Sequence, residues 1–207
     1  EVIERLASAA GMGFWAARKS HSIGYISRNE IAYHEWHYPK GARHSFLEIV
    51  PSGTETRIFG LHLSARFSKW DELRRTREIR ALLEGIKRHQ AGFHVLVGDF
   101  NTLAPGEVLE LKRLPAWIRA LIWISGRQLQ RQTIQLMLDA NYLDAFRSLH
   151  GETGYTFPTW NPHVRLDYAF VPKSFAARLV KCEVVEEPRE WIRTASDHCP
   201  LMVELQL

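Results

Sequence analysis

The chain has 207 residues, of which 45% are hydrophobic and 24% are charged, and its formal net charge is +4. This length and composition suffice for one substantial core, which predicts a single domain over residues 1–207 and excludes an intrinsically disordered chain. The small positive charge fits an anionic substrate, but many proteins without such a substrate share it. The two cysteines, Cys182 and Cys199, are too few for a disulfide scaffold. We predict that they are small core residues, with a single bridge as the alternative.

Targeting signals are not visible in the sequence. The most apolar run, AWIRALIWI, is about half as long as the ~20 residues that a membrane-spanning helix needs, and it contains Arg119. We therefore predict no membrane insertion. No signal peptide precedes the first strands, and the opening EVIERLASAAGMGF resembles the middle of a helix. We accordingly expect a further segment upstream of Glu1.

The first half of the chain predicts a short helix, several strands and one long helix. Residues 1–10 predict a helix that ends near Gly11. Period-two alternation over residues 31–38 is typical of a strand. Ser68 is a predicted N-cap, with Asp71 in the first turn of the helix that follows and Gly92 at its end. Other apolar runs with strand character cover residues 22–28, 45–50, 57–66 and the stretch from residue 94.

The long helix combines an apolar stripe with many basic side chains. The stripe consists of Leu73, Ile79, Leu82, Leu83 and Ile86. The basic residues on its other faces are Arg74, Arg75, Arg77, Arg80, Lys87 and Arg88. We predict a solvated surface for them, with a phosphate-binding face as the alternative.

The second half alternates between helices, loops and strands. A long connection broken by proline and glycine follows Asn101, and a helix is then predicted over residues 127–141 with Asn141 as its left-handed cap. A proline-rich loop over 154–163 precedes strands at 164–171, 178–186 and 201–207, the last after a loop at 194–200. A strand-rich mixture with helices between the strands predicts an α/β protein.

Polar side chains lie on or just beyond apolar strands at four places. Asp99 and Asn101 follow the strand HVLVG, where they suit a metal or water site or a plain Asx turn. His62 shares a strand face with Ile58 and Gly60, and a hydrogen-bonded core histidine is the simpler interpretation.

The other two places lie near the end of the chain. Arg165 and Asp167 share a strand face, either as a structural ion pair or with Asp167 orienting an imidazole. Asp197 and His198 are adjacent in SDHCP, which suits a metal ligand and a general base or a turn. Hard oxygen ligands of this kind favour Mg²⁺, Mn²⁺ or Ca²⁺ over zinc.

The segments LHLS, VGDFNT, RLDYAFV and SDHCPL occur in the order and approximate spacing of the endonuclease/exonuclease/phosphatase superfamily, and the chain resembles that family from His62 to its C-terminus. The resemblance implies an α/β (α+β) fold, a four-layer α/β/β/α sandwich of two mixed β-sheets flanked by helices. It also implies divalent-metal-dependent hydrolysis of a phosphate ester at one end of the sheets. No other subunit is expected.

The resemblance implies roles for the two histidines and their partner. His198 contacts the scissile phosphate or acts as the general base, and Asp167 orients it. His62 stabilises or protonates the phosphate and the leaving group. Which group removes the proton from water stays open.

The same resemblance implies roles for the acids and the amide. Asp99 positions or activates the attacking water, and Asn101 steadies the phosphoryl oxygens. Asp197, together with Asp99, holds Mg²⁺, or Mn²⁺ or Ca²⁺ in its place. Arg66 and Arg165 are the basic residues expected to face a phosphate.

Two features depart from the family pattern. The upstream Asn strand and the Gln-Glu strand, whose glutamate binds metal, are not found, so the resemblance implies that the first strands lie before residue 1. PTWNPHVRLDY only partly matches the inositol phosphatase motif, and His62 is more like the deoxyribonuclease and sphingomyelinase branches. We therefore expect a phosphodiesterase or nuclease, with a lipid or small-molecule phosphoesterase and a catalytically silent binding domain as alternatives.

Overall fold

The computed structural model describes residues 2–65, 68–107, 116, 119–120, 131–151 and 154–207. Five helices are described in it: α1 (Val2–Ala9), α2 (Lys69–Gly85), α3 (Gln132–Asp139), α4 (Ala145–Leu149) and α5 (Arg189–Ala195). Ten strands are described: β1 (Phe14–Ala17), β2 (Gly24–Ser27), β3 (Ile31–His37), β4 (Phe46–Pro51), β5 (Arg57–His62), β6 (His94–Asp99), β7 (Tyr142–Asp144), β8 (Asp167–Pro172), β9 (Leu179–Val184) and β10 (Leu201–Leu205).

A six-stranded mixed sheet forms the centre of the protein, in the order β3-β4-β5-β6-β8-β7. β5 and β6 run parallel and are joined by α2, whereas the other neighbours in the sheet are antiparallel. A parallel pair needs a crossover connection of this length, usually a helix. Because the carboxyl ends of parallel strands meet at one edge, this βαβ unit places the last residues of β5 and β6 side by side.

The two faces of the six-stranded sheet are covered differently. α2 and α3 pack on one face, where Phe59, Leu61 and Leu96 meet Ile79 and Met137. Period-two alternation sends the other side chains of β5 and β6 to the opposite face. There Val97 and Ala169 pack against the antiparallel pair β9–β10.

The antiparallel pair β1–β2 lies on the same side as β9–β10 and is covered in turn by α1. Ile23 packs beside Gly60 of β5, and Ile3 of α1 packs beside Gly24 of β2. The layers therefore run helix, sheet, sheet, helix, which confirms the four-layer architecture. The second layer differs from the single mixed sheet that was expected, because in the described residues it consists of two separate antiparallel pairs.

Several shorter features also match or refine the sequence predictions. Both cysteines are free and buried. Ser68 caps α2 by accepting the N–H of Asp71, as expected, but α2 ends at Gly85, and a 3₁₀ turn fills the space before Gly92. Across the described stretches, no helix is both long and apolar enough to cross a lipid bilayer.

Candidate active site

Three polar side chains lie in a row across one edge of the central sheet. His62 ends β5 and pairs with Asp99 at the end of β6, and Asp99 pairs in turn with Asp167 at the start of β8. Residues paired across neighbouring strands project from the same face. His62 Nε2 lies 3.6 Å from Asp99 Oδ2. Residues that are 105 positions apart in the sequence, 62 and 167, thus belong to one site because of strand register.

The loop before β10 brings a second histidine to this row. His198 Nδ1 lies 2.7 Å from Asp167 Oδ2. The loop is fixed from behind, since the Thr159 hydroxyl donates to the Ser196 carbonyl at 3.0 Å and the Thr159 N–H donates to the Asp197 carbonyl at 2.9 Å. These bonds hold the imidazole against the Asp167 carboxylate. Asp197 itself is exposed beside it.

Asp99 and Asn101 form the Asx turn that the sequence left as an alternative. The Asn101 N–H donates to Asp99 Oδ1 at 2.7 Å, and Asn101 adopts a left-handed conformation with φ of 51°. Its Nδ2 donates both to Asp99 Oδ2 at 2.9 Å and to the Leu63 carbonyl at 3.0 Å. Because both amide hydrogens are engaged, Asn101 positions the Asp99 carboxylate, and any contact with phosphoryl oxygens would require it to rearrange.

The pKa values of both Asp99 and His198 are raised, but for different reasons. Burial and the nearby charge of Asp167 raise the pKa of Asp99 to about 7. Burial disfavours the charged form of His198, but the hydrogen bond and charge of Asp167, with the charges of Asp99 and Asp197, outweigh burial and raise the pKa of His198. At neutral pH the site therefore combines a partly protonated carboxyl group with an imidazole biased toward its cationic form.

The pKa of His62 is shifted in the opposite direction to that of His198. Burial lowers its pKa, and the neighbouring His44 and His198 lower it further. It remains close enough to Asp99 to exchange a hydrogen bond after a small movement. A neutral imidazole at this place can donate one N–H to a substrate oxygen.

The donors at this edge fit a divalent cation only in part. Among the described residues, no three histidine, cysteine, aspartate or glutamate side chains have the arrangement of a metal site. Asp99 and Asp167 nevertheless supply two carboxylates on paired strands, and a cation beside them would offset the burial and the nearby charge of Asp167, which raise the pKa of Asp99.

Arg165 does not face the candidate site. Its side chain is 1% exposed, and its guanidinium donates to both carboxylate oxygens of Asp144, at 2.8 and 2.6 Å, and to Glu107 at 2.8 Å. The guanidinium also lies 4.4 Å from the centre of the Tyr168 ring. Arg165 therefore forms a structural ion pair, but with Asp144 and Glu107 and not with Asp167. These contacts do not support a substrate contact by Arg165. Arg66, the other basic candidate, lies outside the described residues.

Sequence patterns missed a buried polar network beneath the site. Glu72 of α2 accepts hydrogen bonds from Arg75, from the Thr102 hydroxyl at 2.9 Å and from the Thr133 N–H at 2.8 Å. Arg75 also donates to the Ser64 carbonyl at 2.8 Å. The network ties α2 to the loops that follow β5 and β6. The spacing of Glu72, Arg75 and Ile79, which places charged residues on the apolar side of the helix, is the signal that could have revealed it.

Two cavities lie between the central sheet and the second layer, next to the row of polar residues. One, of about 390 Å³, is lined by Asp167, His198 and the start of β10. The other, of about 330 Å³, is lined by His62, Asp99 and the start of β2. Both are bordered by Val97 and Gly98 of β6. The candidate site is thus open on its inner side as well as toward solvent.

Gly98 is expected to be essential for this edge of the sheet. Its φ is +143°, and a Cβ at this position would lie 1.9 Å from the Leu61 carbonyl oxygen. We expect Gly98→Ala to lower the free energy of unfolding by more than about 1 kcal/mol, because alanine fits neither the space nor the backbone conformation. Urea unfolding measures this change. Gly92→Ala is the matched control, since its Cβ would meet only the His89 carbonyl oxygen at 3.6 Å, and an equal loss in both variants would contradict the prediction.

Comparison with known proteins agrees with this geometry. Residues 9–198 match the model of the Endonuclease/Exonuclease/phosphatase family. Comparison with curated protein sequences gives no match. A 3′ phosphatase, NExo, from Neisseria bound to a product DNA hairpin has a similar structure, with a TM-score of 0.67, 19% identity, and coverage of 98% of this chain and 82% of that one.

Two further solved structures are similar over nearly the whole chain. An AP endonuclease from Archaeoglobus fulgidus gives a TM-score of 0.66 at 17% identity and covers 99% of this chain and 83% of its own. Humanized TDP2 from D. rerio gives a TM-score of 0.63 at 17% identity, with 99% and 81% covered. At these identities the structures establish the fold, and the family match over most of the residues establishes the lineage. The chain belongs to the endonuclease/exonuclease/phosphatase family.

Proposed function

We propose that this protein hydrolyses a phosphate ester, with a phosphodiester of nucleic acid as its substrate. The observation that carries the proposal is the convergence of His62, Asp99, Asp167 and His198 at one sheet edge. Family membership supports phosphoester hydrolysis. The similar structures of a 3′ phosphatase bound to DNA and of an AP endonuclease support nucleic acid as the substrate class.

The His198–Asp167 pair is proposed to act on the scissile phosphate. Asp167 occupies Nδ1 of the imidazole, so Nε2 is the nitrogen that remains for a phosphate oxygen or for a proton. The raised pKa of His198 favours the cationic form, which balances the negative charge that repels a nucleophile from a phosphodiester. Asp167 keeps the ring oriented through the reaction, as the acid of a hydrolytic triad does.

Asp99 and His62 are proposed to act on the water and the leaving group. Asp99 is held by Asn101, so its carboxylate is placed to position a water and accept its proton. His62, 3.6 Å from that carboxylate, donates an N–H to a phosphoryl oxygen or to the leaving group. An in-line attack places the water and the leaving group on opposite sides of the phosphorus. No covalent intermediate with the protein is required.

Mg²⁺ is the cofactor that we propose, with Mn²⁺ or Ca²⁺ as the other hard cations, and Asp99 and Asp197 would hold it. When bound, such a cation neutralises the charge that develops on the phosphoryl oxygens. We expect EDTA to abolish hydrolysis and added Mg²⁺ or Mn²⁺ to restore it. We also expect Asp197→Asn to raise the Mg²⁺ concentration needed for half-maximal activity. Activity that survives EDTA would contradict the metal requirement.

A substrate panel tests the proposed function itself. Plasmid DNA, RNA, sphingomyelin and bis-p-nitrophenyl phosphate are incubated with the protein and Mg²⁺ or Mn²⁺, with EDTA as the control. Cleavage of DNA or RNA is the expected result. Cleavage of sphingomyelin alone would assign a lipid phosphoesterase instead. Cleavage of none, by a protein that still binds DNA, would indicate a catalytically silent binding domain.

A further inference from the structure

A third histidine lies beside the row of active-site residues. His44, in the loop between β3 and β4, stacks on His62 with ring centroids 6.3 Å apart and an angle of 16° between the rings. Asp99 meets the Nε2 edge of His62, whereas His44 lies over its face. The His44 side chain is 37% exposed, so it is open to a ligand that enters the site.

A buried carboxylate holds His44 in this place. His44 Nδ1 lies 3.1 Å from Glu78 Oε1, and the Glu78 side chain is only 2% exposed. Glu78 also accepts the backbone N–H groups of Arg43 at 3.2 Å and Ser64 at 3.1 Å. α2 therefore fixes both the loop that carries His44 and the loop that follows β5. The imidazole is oriented by a carboxylate at Nδ1, as His198 is oriented by Asp167.

The arrangement leaves Nε2 of His44 as the nitrogen for a ligand. An imidazole that donates from both ring nitrogens can bond the buried Glu78 carboxylate at Nδ1 and a substrate phosphate at Nε2. A purely structural role for His44, in which it only links its loop to Glu78, would use Nδ1 alone. Such a role would not require the ring to be partly exposed beside His62.

We propose that His44 is a further substrate-contacting residue of this site, which donates from Nε2 to a phosphate oxygen of the substrate while Glu78 holds Nδ1. This inference rests on the proposed function. It adds to the site a contact that no sequence motif contains. The expected effect is mainly on binding, because His44 is separated from Asp99 and Asp167 by His62.

Two substitutions at position 44 distinguish the proposed phosphate contact of Nε2 from the structural hydrogen bond between Nδ1 and Glu78. His44→Asn keeps a donor near the position of Nδ1 and loses the Nε2 side, whereas His44→Gln keeps a donor near the position of Nε2. We expect His44→Asn to raise KM and the Kd for inorganic phosphate about tenfold, because it loses a hydrogen bond to a charged phosphate, with little change in kcat. His44→Gln should recover part of this loss. Steady-state kinetics, phosphate titration calorimetry and thermal unfolding are measured for each.

The control is a histidine paired in a similar way elsewhere. His37 bonds the buried Glu48 at 2.6 Å and stacks on Phe46, and His37→Asn should leave KM and phosphate affinity unchanged. Unchanged values for His44→Asn, or a larger effect of His44→Gln than of His44→Asn, would overturn the inference. If the parent protein hydrolyses no substrate, the proposed function fails. Phosphate titration then still decides, since weaker binding by His44→Asn supports the contact and equal binding refutes it.

Discussion

His198→Ala is expected to lower the rate of phosphoester hydrolysis by about 10²–10⁴-fold, the usual contribution of a positioned acid or base. The substitution removes the imidazole that Asp167 holds at 2.7 Å and leaves that carboxylate without its partner. The loss should appear in kcat, because in the proposed mechanism His198 balances charge that grows in the transition state. Turnover of bis-p-nitrophenyl phosphate and of an oligonucleotide at saturating substrate measures it.

A matched control separates this effect from a general loss of structure. His21 is hydrogen-bonded through both ring nitrogens, to the Tyr38 hydroxyl and the Lys19 carbonyl, and it lies outside the row of polar residues. His21→Ala should leave kcat within about twofold, in line with a substitution that removes no catalytic contact. Equal rates for His198→Ala and the parent protein, with both folded by circular dichroism, would remove His198 from the mechanism.

The sequence predicted that the site residues lie at one edge of a sheet, but it did not predict which of them are paired. Polar side chains at the ends of apolar strands indicate a shared edge, because the strands of one sheet end at common edges. What the sequence cannot give is register. The pairing of Asp99 with both His62 and Asp167 depends on hydrogen bonds between distant segments. A shift of one residue would turn each side chain to the other face.

Short elements and buried charges escaped prediction for two different reasons. β7 and α4 have three and five residues, too few to show a period, and they form through packing against the rest of the sheet. The basic residues of α2 were predicted to be solvated, and Arg74, Arg77 and Arg80 are exposed. Arg75 is buried because Glu72 and the Ser64 carbonyl satisfy its donors, a set of tertiary contacts that the local sequence does not specify.

Arg165 shows that a buried structural arginine and a phosphate-binding arginine can occur in the same sequence pattern. Arginine two residues before a candidate catalytic aspartate suggests a phosphate contact, since both would share a strand face. The chain enters β8 only at Asp167, however, and Arg165 is instead enclosed by Asp144, Glu107 and the Tyr168 ring. These groups join β8 to the β7–α4 corner and to the segment after β6. Arg165 therefore supports the strand that carries Asp167.

Arg165→Met is accordingly expected to destabilise the protein by about 3–5 kcal/mol, because it leaves two buried carboxylates without their main partner. Urea unfolding at neutral pH measures the loss. Arg147→Met is the control, since Arg147 also reaches Glu107, at 3.3 Å, but is 37% exposed and should lose less than about 1 kcal/mol. A substrate contact by Arg165 predicts a different pattern, a raised KM with unchanged stability. That pattern would show that the guanidinium leaves its carboxylates to bind phosphate.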